Sequence, residues 1–216
     1  MARSSPGWAA ASLRPVDSYG MSMAFLHVPV RSARLLGVIA AALCFAVPAQ
    51  AVVYYVRTSG SDTNNGTSRT TAFRTVQRAL NAANPGDIVY VGGGTYTENL
   101  TGQIQIIGSN TQTGDTGTIT IAATGTNTAL RVNHQFIRVA SMTFRYGGDT
   151  VVWNAANGVM ASCSVRDGSD DGLELLLGAT LTTTGSNFLN AADHNVVVNS
   201  ATLSATAGTM RSSRTT

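Results

Sequence analysis

Four carboxylates fall within eight residues of the stretch Arg166-Asp167-Gly168-Ser169-Asp170-Asp171-Gly172-Leu173-Glu174, the densest acidic cluster in the chain. Asp149 lies 22 residues before Asp171, and Asp193 lies 22 residues after it. If the chain coils with that period, these carboxylates stack about 4.8 Å apart, the spacing of neighbouring strands. Like charges at that separation repel by roughly 1 kcal/mol in water and several-fold more near a protein surface. The column of Asp149, Asp171 and Asp193, with Asp170 and Glu174 beside it, therefore needs a compensating charge, which a bound cation would supply. Flexible, all-oxygen donors suit a hard ion such as Ca²⁺, whereas zinc prefers His or Cys. A structural reading of the same residues stays open, because Asp and Asn before a strand satisfy turn backbone groups and form ladders in solenoids. Arg145 and Arg166 each stand four residues before an acid, Asp149 and Asp170. A guanidinium in that position is a ready neutraliser of the acidic column. His134 and His194 have no metal-ligand partner at a useful sequence spacing and read as surface or turn residues.

The elements that position these groups are short β-type runs. Ile137, Val159, Leu181 and Leu203 recur at the same 22-residue interval as the acids. A period of about 20 to 30 residues without helical spacing indicates a solenoid whose coils bury their apolar faces only against one another. The expected fold is all-β, a parallel β-helix with Ile137, Val159 and Leu181 stacked inside. Alternation sends Leu173 and Leu175 to one face and Glu174 to the other. Val151-Val152-Trp153 occupies the same stretch one coil earlier and Val196-Val197-Val198 one coil later. Asn195 falls where Leu173 predicts an apolar residue, which points to a shift of one residue in the last coil, a slip that exchanges faces. Trp153 and Cys163 read as core, and Thr182-Thr183-Thr184 as a solenoid corner. Residues 104–107 and 118–122 are further strands, separated by a polar loop over 108–117 that is expected to protrude. Earlier, Phe73, Val76, Ala79, Leu80 and Ala83 follow helical spacing until Asn84-Pro85-Gly86 stops them. This predicts one short helix within residues 72–83, placed to cap the open end of the first coil. Gly92-Gly93-Gly94 lacks the Lys-Ser/Thr and the following helix of a phosphate-binding loop.

The chain has 216 residues, 44% of them hydrophobic and 12% charged, which suits one domain with a core and excludes a disordered polyelectrolyte. Arg31 and Arg34 precede thirteen uncharged residues, 35–47, and then Ala49-Gln50-Ala51. This is the pattern of a secretory leader with a small-x-small cleavage signal, too short for a membrane span. Residues 1–51 are read as that leader, with translation starting at Met21 or Met23 as an alternative, and the mature protein as secreted, periplasmic or extracellular, with no membrane span. Beyond residue 51, ten Arg balance ten acids and no Lys occurs. A neutral chain is a poor match for nucleic acid, which requires a basic face. Cleavage leaves Cys163 as the single cysteine, so no internal disulfide forms. The resulting division is a leader over 1–51, an opening module with the capping helix over 52–100, coils over 101–208, and a disordered or truncated tail over 209–216.

Tyr54-Tyr55-Val56 through Gly60-Ser61-Asp62, Asn65-Gly66-Thr67, Phe73, Val76-Gln77-Arg78-Ala79-Leu80, Pro85-Gly86-Asp87 and Gly94-Thr95-Tyr96 together resemble the opening module of secreted right-handed parallel β-helix proteins. That group includes the pectate lyases of polysaccharide lyase family 9. Asp170-Asp171-Gly172-Leu173-Glu174 is similar to the Asp-Asp-Gly-x-Asp segment of those lyases, with Glu in place of the last Asp. The resemblance implies calcium ligation by Asp170, Asp171 and Glu174, with Asp149 from the preceding coil. It also implies a monomer acting on an acidic polysaccharide such as pectate by β-elimination. The family's basic residue is a Lys; here Arg166 or Arg145 would have to take its place as the catalytic base. The alternative is a non-catalytic β-helix for glycan binding or adhesion.

Overall fold

The computed structural model of the chain describes residues 50–102, 105–133 and 137–211, and every count below refers to these residues. The chain divides into two units, 1–48 and 49–216; the fold is that of the second. The expected leader and His134 lie outside the described residues, except for Gln50 and Ala51 at the leader's end.

Three sheets run side by side along a parallel β-helix. The first contains seven strands, from Val53–Val56 and Ile88–Val91 to Thr180–Thr184 and Thr202–Thr206. The second contains six, among them Thr143–Arg145, Ser164–Arg166, Asn187–Leu189 and Thr209–Arg211. The third contains five, Leu100–Gly102, Leu130–Val132, Val151–Asn154, Leu173–Leu176 and Val196–Val198. Strand pairing between consecutive coils is parallel in all three. The inward residues are the alternating apolar ones: Trp153, Phe144, Leu173 and Leu175 are fully buried. Burying each such side chain stabilises the fold by about 1.5–3 kcal/mol.

Between Leu130 and Val196 twenty-two residues is a mean coil length and not a constant register. In the third sheet Leu130 pairs with Val151, Val151 with Leu173, and Leu173 with Val196, so successive coils take 21, 22 and 23 residues. The shift announced by Asn195 is therefore present. In the first sheet Ile137 pairs with Gly158, Gly158 with Leu181, and Leu181 with Leu203. Val159 is thus not stacked inside between Ile137 and Leu181; it faces outward and is 38% exposed. Gly158 holds the inward position because Trp153 already fills it: a Cβ there would lie 2.6 Å from the indole Cζ2 and would collide with the Ile137 carbonyl oxygen.

Non-glycine residues in the left-handed region mark three corners of the coil. They are Ser141, Ser162 and Ala207 between the first and second sheets, Tyr146, Asp167 and Asn190 between the second and third, and Ala155, Leu177 and Ser200 on the return. The Thr182-Thr183-Thr184 run is not a corner but the end of strand Thr180–Thr184; outward Thr182 and Thr184 flank the buried Thr183.

Helix α1, Val76–Ala82, starts where Thr75 caps it by accepting from Arg78 N at 3.3 Å. The Glu98 carboxylate accepts from Val76 N and Gln77 N at 2.9 and 2.8 Å, so the first turn is satisfied from the coil that it covers. Its buried face is Val76, Ala79 and Leu80, and Leu80 lies against Gly102 of the third sheet. A second helical turn, α2, Asn110–Thr113, corrects the expectation of a protruding loop. The loop folds back onto Gly92 and Gly93, where Asp115 and the Thr116 carbonyl occupy the space that a Cβ at either glycine would need. Arg57 then clamps Asp115, Nη2 to Oδ1 at 2.6 Å and Nε to Oδ2 at 3.0 Å. Among the described residues no helix is long and apolar enough to cross a membrane.

Candidate functional site

The acidic residues lie in the turns that carry the chain from the second sheet to the third. After strand Ser164–Arg166, Asp167 takes φ +62°, and its carboxylate Oδ2 accepts from Arg145 Nε at 2.9 Å and Arg166 Nε at 3.0 Å. Gly168 follows because no side chain fits: an added Cβ would lie 2.7 Å from both the Asp171 carbonyl oxygen and Thr150 Oγ1. Ser169 then fastens the turn to the coil below, donating to the Gly147 carbonyl from its N–H and from its hydroxyl, each at 2.8 Å. Two further backbone bonds hold the turns in step, Asp170 N to Gly148 O at 3.2 Å and Thr150 N to Asp171 O at 2.9 Å.

This brings carboxylate oxygens of Asp149, Asp170 and Asp171 within 4.8 Å of one another. Glu174 stands beside them on the outward side of strand Leu173–Leu176. The Asp149 carboxyl is pushed above its usual pKa by burial and by the charges of Asp170 and Asp171, partly offset by a backbone hydrogen bond from Asp171 and by Arg131. Glu174 is pushed up by burial, then by Asp149 and Asp171, again with Arg131 opposing. Neighbouring negative charges thus add to burial in disfavouring the ionised forms of Asp149 and Glu174. Thr150 Oγ1, fully buried under the turn, has no hydrogen-bond partner among the described residues. The donor set is entirely oxygen, which fits a hard divalent cation.

Arg145 and Arg166 are brought together, but around Asp167: their ion pairs to Asp167 Oδ2 measure 2.7 and 3.0 Å. Burial alone would raise the Asp167 carboxyl; the Arg145 and Asn190 hydrogen bonds and the Arg166 charge hold it below its usual pKa. The cation whose field reaches Asp149 and Glu174 is Arg131, on strand Leu130–Val132. Sequence reasoning missed it, because no acid stands near it in the chain. The signal was the ladder, in which Arg131, Val152 and Glu174 are consecutive neighbours.

His194 stands exposed outside the strands, in keeping with a surface or turn residue, but it does have acidic neighbours. The longer third coil places it beside Asp171, with Nδ1 3.1 Å from Asp171 Oδ1 and 3.3 Å from Asp193 Oδ2. The Asp193 N–H donates to the Asp170 carbonyl at 2.9 Å, so Asp193 stands over Asp170 and His194 over Asp171. Asp171, Asp193 and His194 form a second group with ligand atoms within 4.8 Å. Cys163 is buried, and burial pushes its thiol up to about 11; an uncharged thiol is a packing residue.

A protein-family model described as "Protein of unknown function (DUF1565)" matches residues 58–209. No curated protein sequence is similar to the chain. Among solved structures, a rhamnogalacturonan lyase aligns with a TM-score of 0.44 and 18% identity over 68% of this chain and 43% of its own. The chain thus spans less than half the length of that lyase.

Proposed function

The chain belongs to the DUF1565 family of proteins of unknown function, and we propose that it captures an acidic polysaccharide such as pectate through Ca²⁺ held by Asp149, Asp170, Asp171 and Glu174. The observation that carries this reading is the convergence of three carboxylates within 4.8 Å, with Asp149 and Glu174 pushed above their usual range by burial first and then by the neighbouring carboxylates. A calcium ion bound there would supply the missing charge and, on a uronate, acidify the proton at C5. The export leader over residues 1–51 and the monomeric state belong to the same proposal.

Cleavage is the further step. A base removes the C5 proton, the electron pair forms the C4–C5 double bond, and the 4-linked oxygen leaves and takes up a proton. Arg166 and Arg145 are the candidate bases. Both are paired with Asp167, and a guanidinium committed to a carboxylate as a hydrogen-bond donor is not free to accept a proton from C5. That observation favours capture alone, a β-helix that binds acidic glycan without cutting it, over cleavage.

Isothermal titration tests the capture, and an absorbance assay tests the cleavage. Calcium should bind the protein and raise its melting temperature by mass action, and Asp171→Asn should abolish both effects. Absence of calcium binding at millimolar concentration would remove the proposal. Unsaturated-uronate absorbance from polygalacturonate that disappears in Arg166→Ala would establish the lyase reading instead of the binding one.

A further inference from the structure

Arg131 lies on the wall of an open cleft of about 680 Å³. Asp149 and Asp170 stand at one end of this cleft, and Asn99, Thr101 and Thr128 belong to the coils nearer the capping helix. The volume falls within the range of about 300–1,000 Å³ typical of small-ligand sites. Its lining is hydroxyl, amide and charge, which suits a sugar chain better than an apolar ligand.

Three observations single out Arg131. Among the described residues it makes no ion pair, and its one described hydrogen bond is a long one, Nη2 to Thr128 Oγ1 at 3.4 Å. Arg57, Arg145 and Arg166, by contrast, are each committed to a carboxylate. A guanidinium has five N–H donors in a fork that matches a carboxylate, so most of Arg131's capacity is unspent. Next, Arg131 and Glu174 flank Val152 in the outward column of the third sheet. Val152 is fully buried there, although its neighbours Val151 and Trp153 take the inward positions. Long side chains on either side are what can cover an outward valine, and covering it holds the Arg131 stem along the sheet while its head group stays wet. Finally, Arg131 shares the wall of the cleft with Asp149 and Asp170 and forms an ion pair with neither.

We infer that Arg131 is the specificity-determining residue of this cleft. It receives the carboxylate of a second uronate while the first sits at the acidic turn, and the glycan runs from that turn over Arg131 toward Thr101 and Asn99. The ligand class is then a run of adjacent acidic sugars and not a chain with isolated ones. This inference rests on the calcium-dependent reading of the acidic cluster.

The test measures two affinities on the full chain, calcium alone and trigalacturonate in saturating calcium, for wild type and Arg131→Gln. Removing a like charge should leave the variant's calcium affinity equal or higher. Its trigalacturonate affinity should fall about ten- to hundredfold, the usual loss of a charge-assisted bond. A carboxyl-reduced trisaccharide should bind both proteins equally, and Arg131→Lys should recover part of the loss. Should Arg131→Gln fail to fold, Arg131→Lys carries the comparison, with a smaller loss for trigalacturonate only. Equal trigalacturonate affinity in wild type and variants, with calcium binding intact, overturns the role of Arg131 and leaves the calcium site standing. A wild type that binds no calcium overturns both.

Discussion

A carboxylate that titrates above its usual range is one that the folded chain prefers neutral, and Asp149 and Glu174 are both of this kind. The folded state then holds more protons than the unfolded state, so stability from these two groups falls as pH rises through the ordinary carboxylate range into the raised one. Asp62 and Asp167, both held low, act in the opposite sense. Their contribution is complete above the unfolded pKa and is lost as pH falls through the lowered one. Asp149→Asn removes one repelling charge and touches neither Asp62 nor Asp167. In calcium-free buffer near neutral pH the variant should melt a few degrees above wild type, with the gap closing in acid. In saturating calcium the order should reverse, because wild type alone retains the full ligand set. Thermal unfolding across pH with and without calcium checks both signs; a variant less stable than wild type in every condition would show that Asp149 supports the turn. Asp149, Asp170 and Asp171 could be brought together from the sequence because one 22-residue coil separates Asp149 from Asp171. His194 and Arg131 could not, because the coils that place them measure 23 and 21 residues, and an interval read from recurring residues averages such differences away.

At the scale of the element, the strands were readable because inside and outside alternate, and the helix because Asn84-Pro85-Gly86 ends it. The 109–117 loop was not. Its place depends on Arg57 and Asp115, 58 residues apart, and on two glycines whose value lies in what presses against them. Corners were equally hidden. Leu177 sits at φ +52° and is 70% exposed, so it combines left-handed strain with an apolar side chain in water. For an L-residue that conformation costs about 1–2 kcal/mol, and glycine escapes it at an entropic cost of roughly 0.5–1 kcal/mol. Leu177→Gly should therefore be neutral to stabilising, by up to about 1 kcal/mol, in chemical denaturation. A loss of more than that would mean that the Leu177 side chain makes contacts its exposure conceals.

For the whole molecule, a solenoid is quasi-one-dimensional: each coil is stabilised by its neighbours, and stability is the sum of coil and interface terms. The interior coils carry Phe144, Trp153, Leu173 and Phe188, all buried to within 1%. The last described coil carries Val198 and Met210 at 46% and 54% exposure, and its strands Val196–Val198, Thr202–Thr206 and Thr209–Arg211 are the edges of all three sheets. Opening free energies should follow the same order. Native-state hydrogen exchange is expected to show fast amides in Thr202–Thr206, slow amides in Val151–Asn154 and Leu173–Leu176, and intermediate ones beneath α1. Calcium held as proposed would staple the coils bearing Asp149 and Asp171 together, because a ligand shared by two coils binds only while both are formed. It should slow exchange in Val151–Asn154 and Leu173–Leu176 and leave Val53–Val56 unchanged, since nearest-neighbour coupling decays along the stack. Uniform slowing along the entire chain would mean that the coils unfold as one cooperative unit. Slowing confined to the acidic turn itself would mean that the cation tightens a loop without joining the coils.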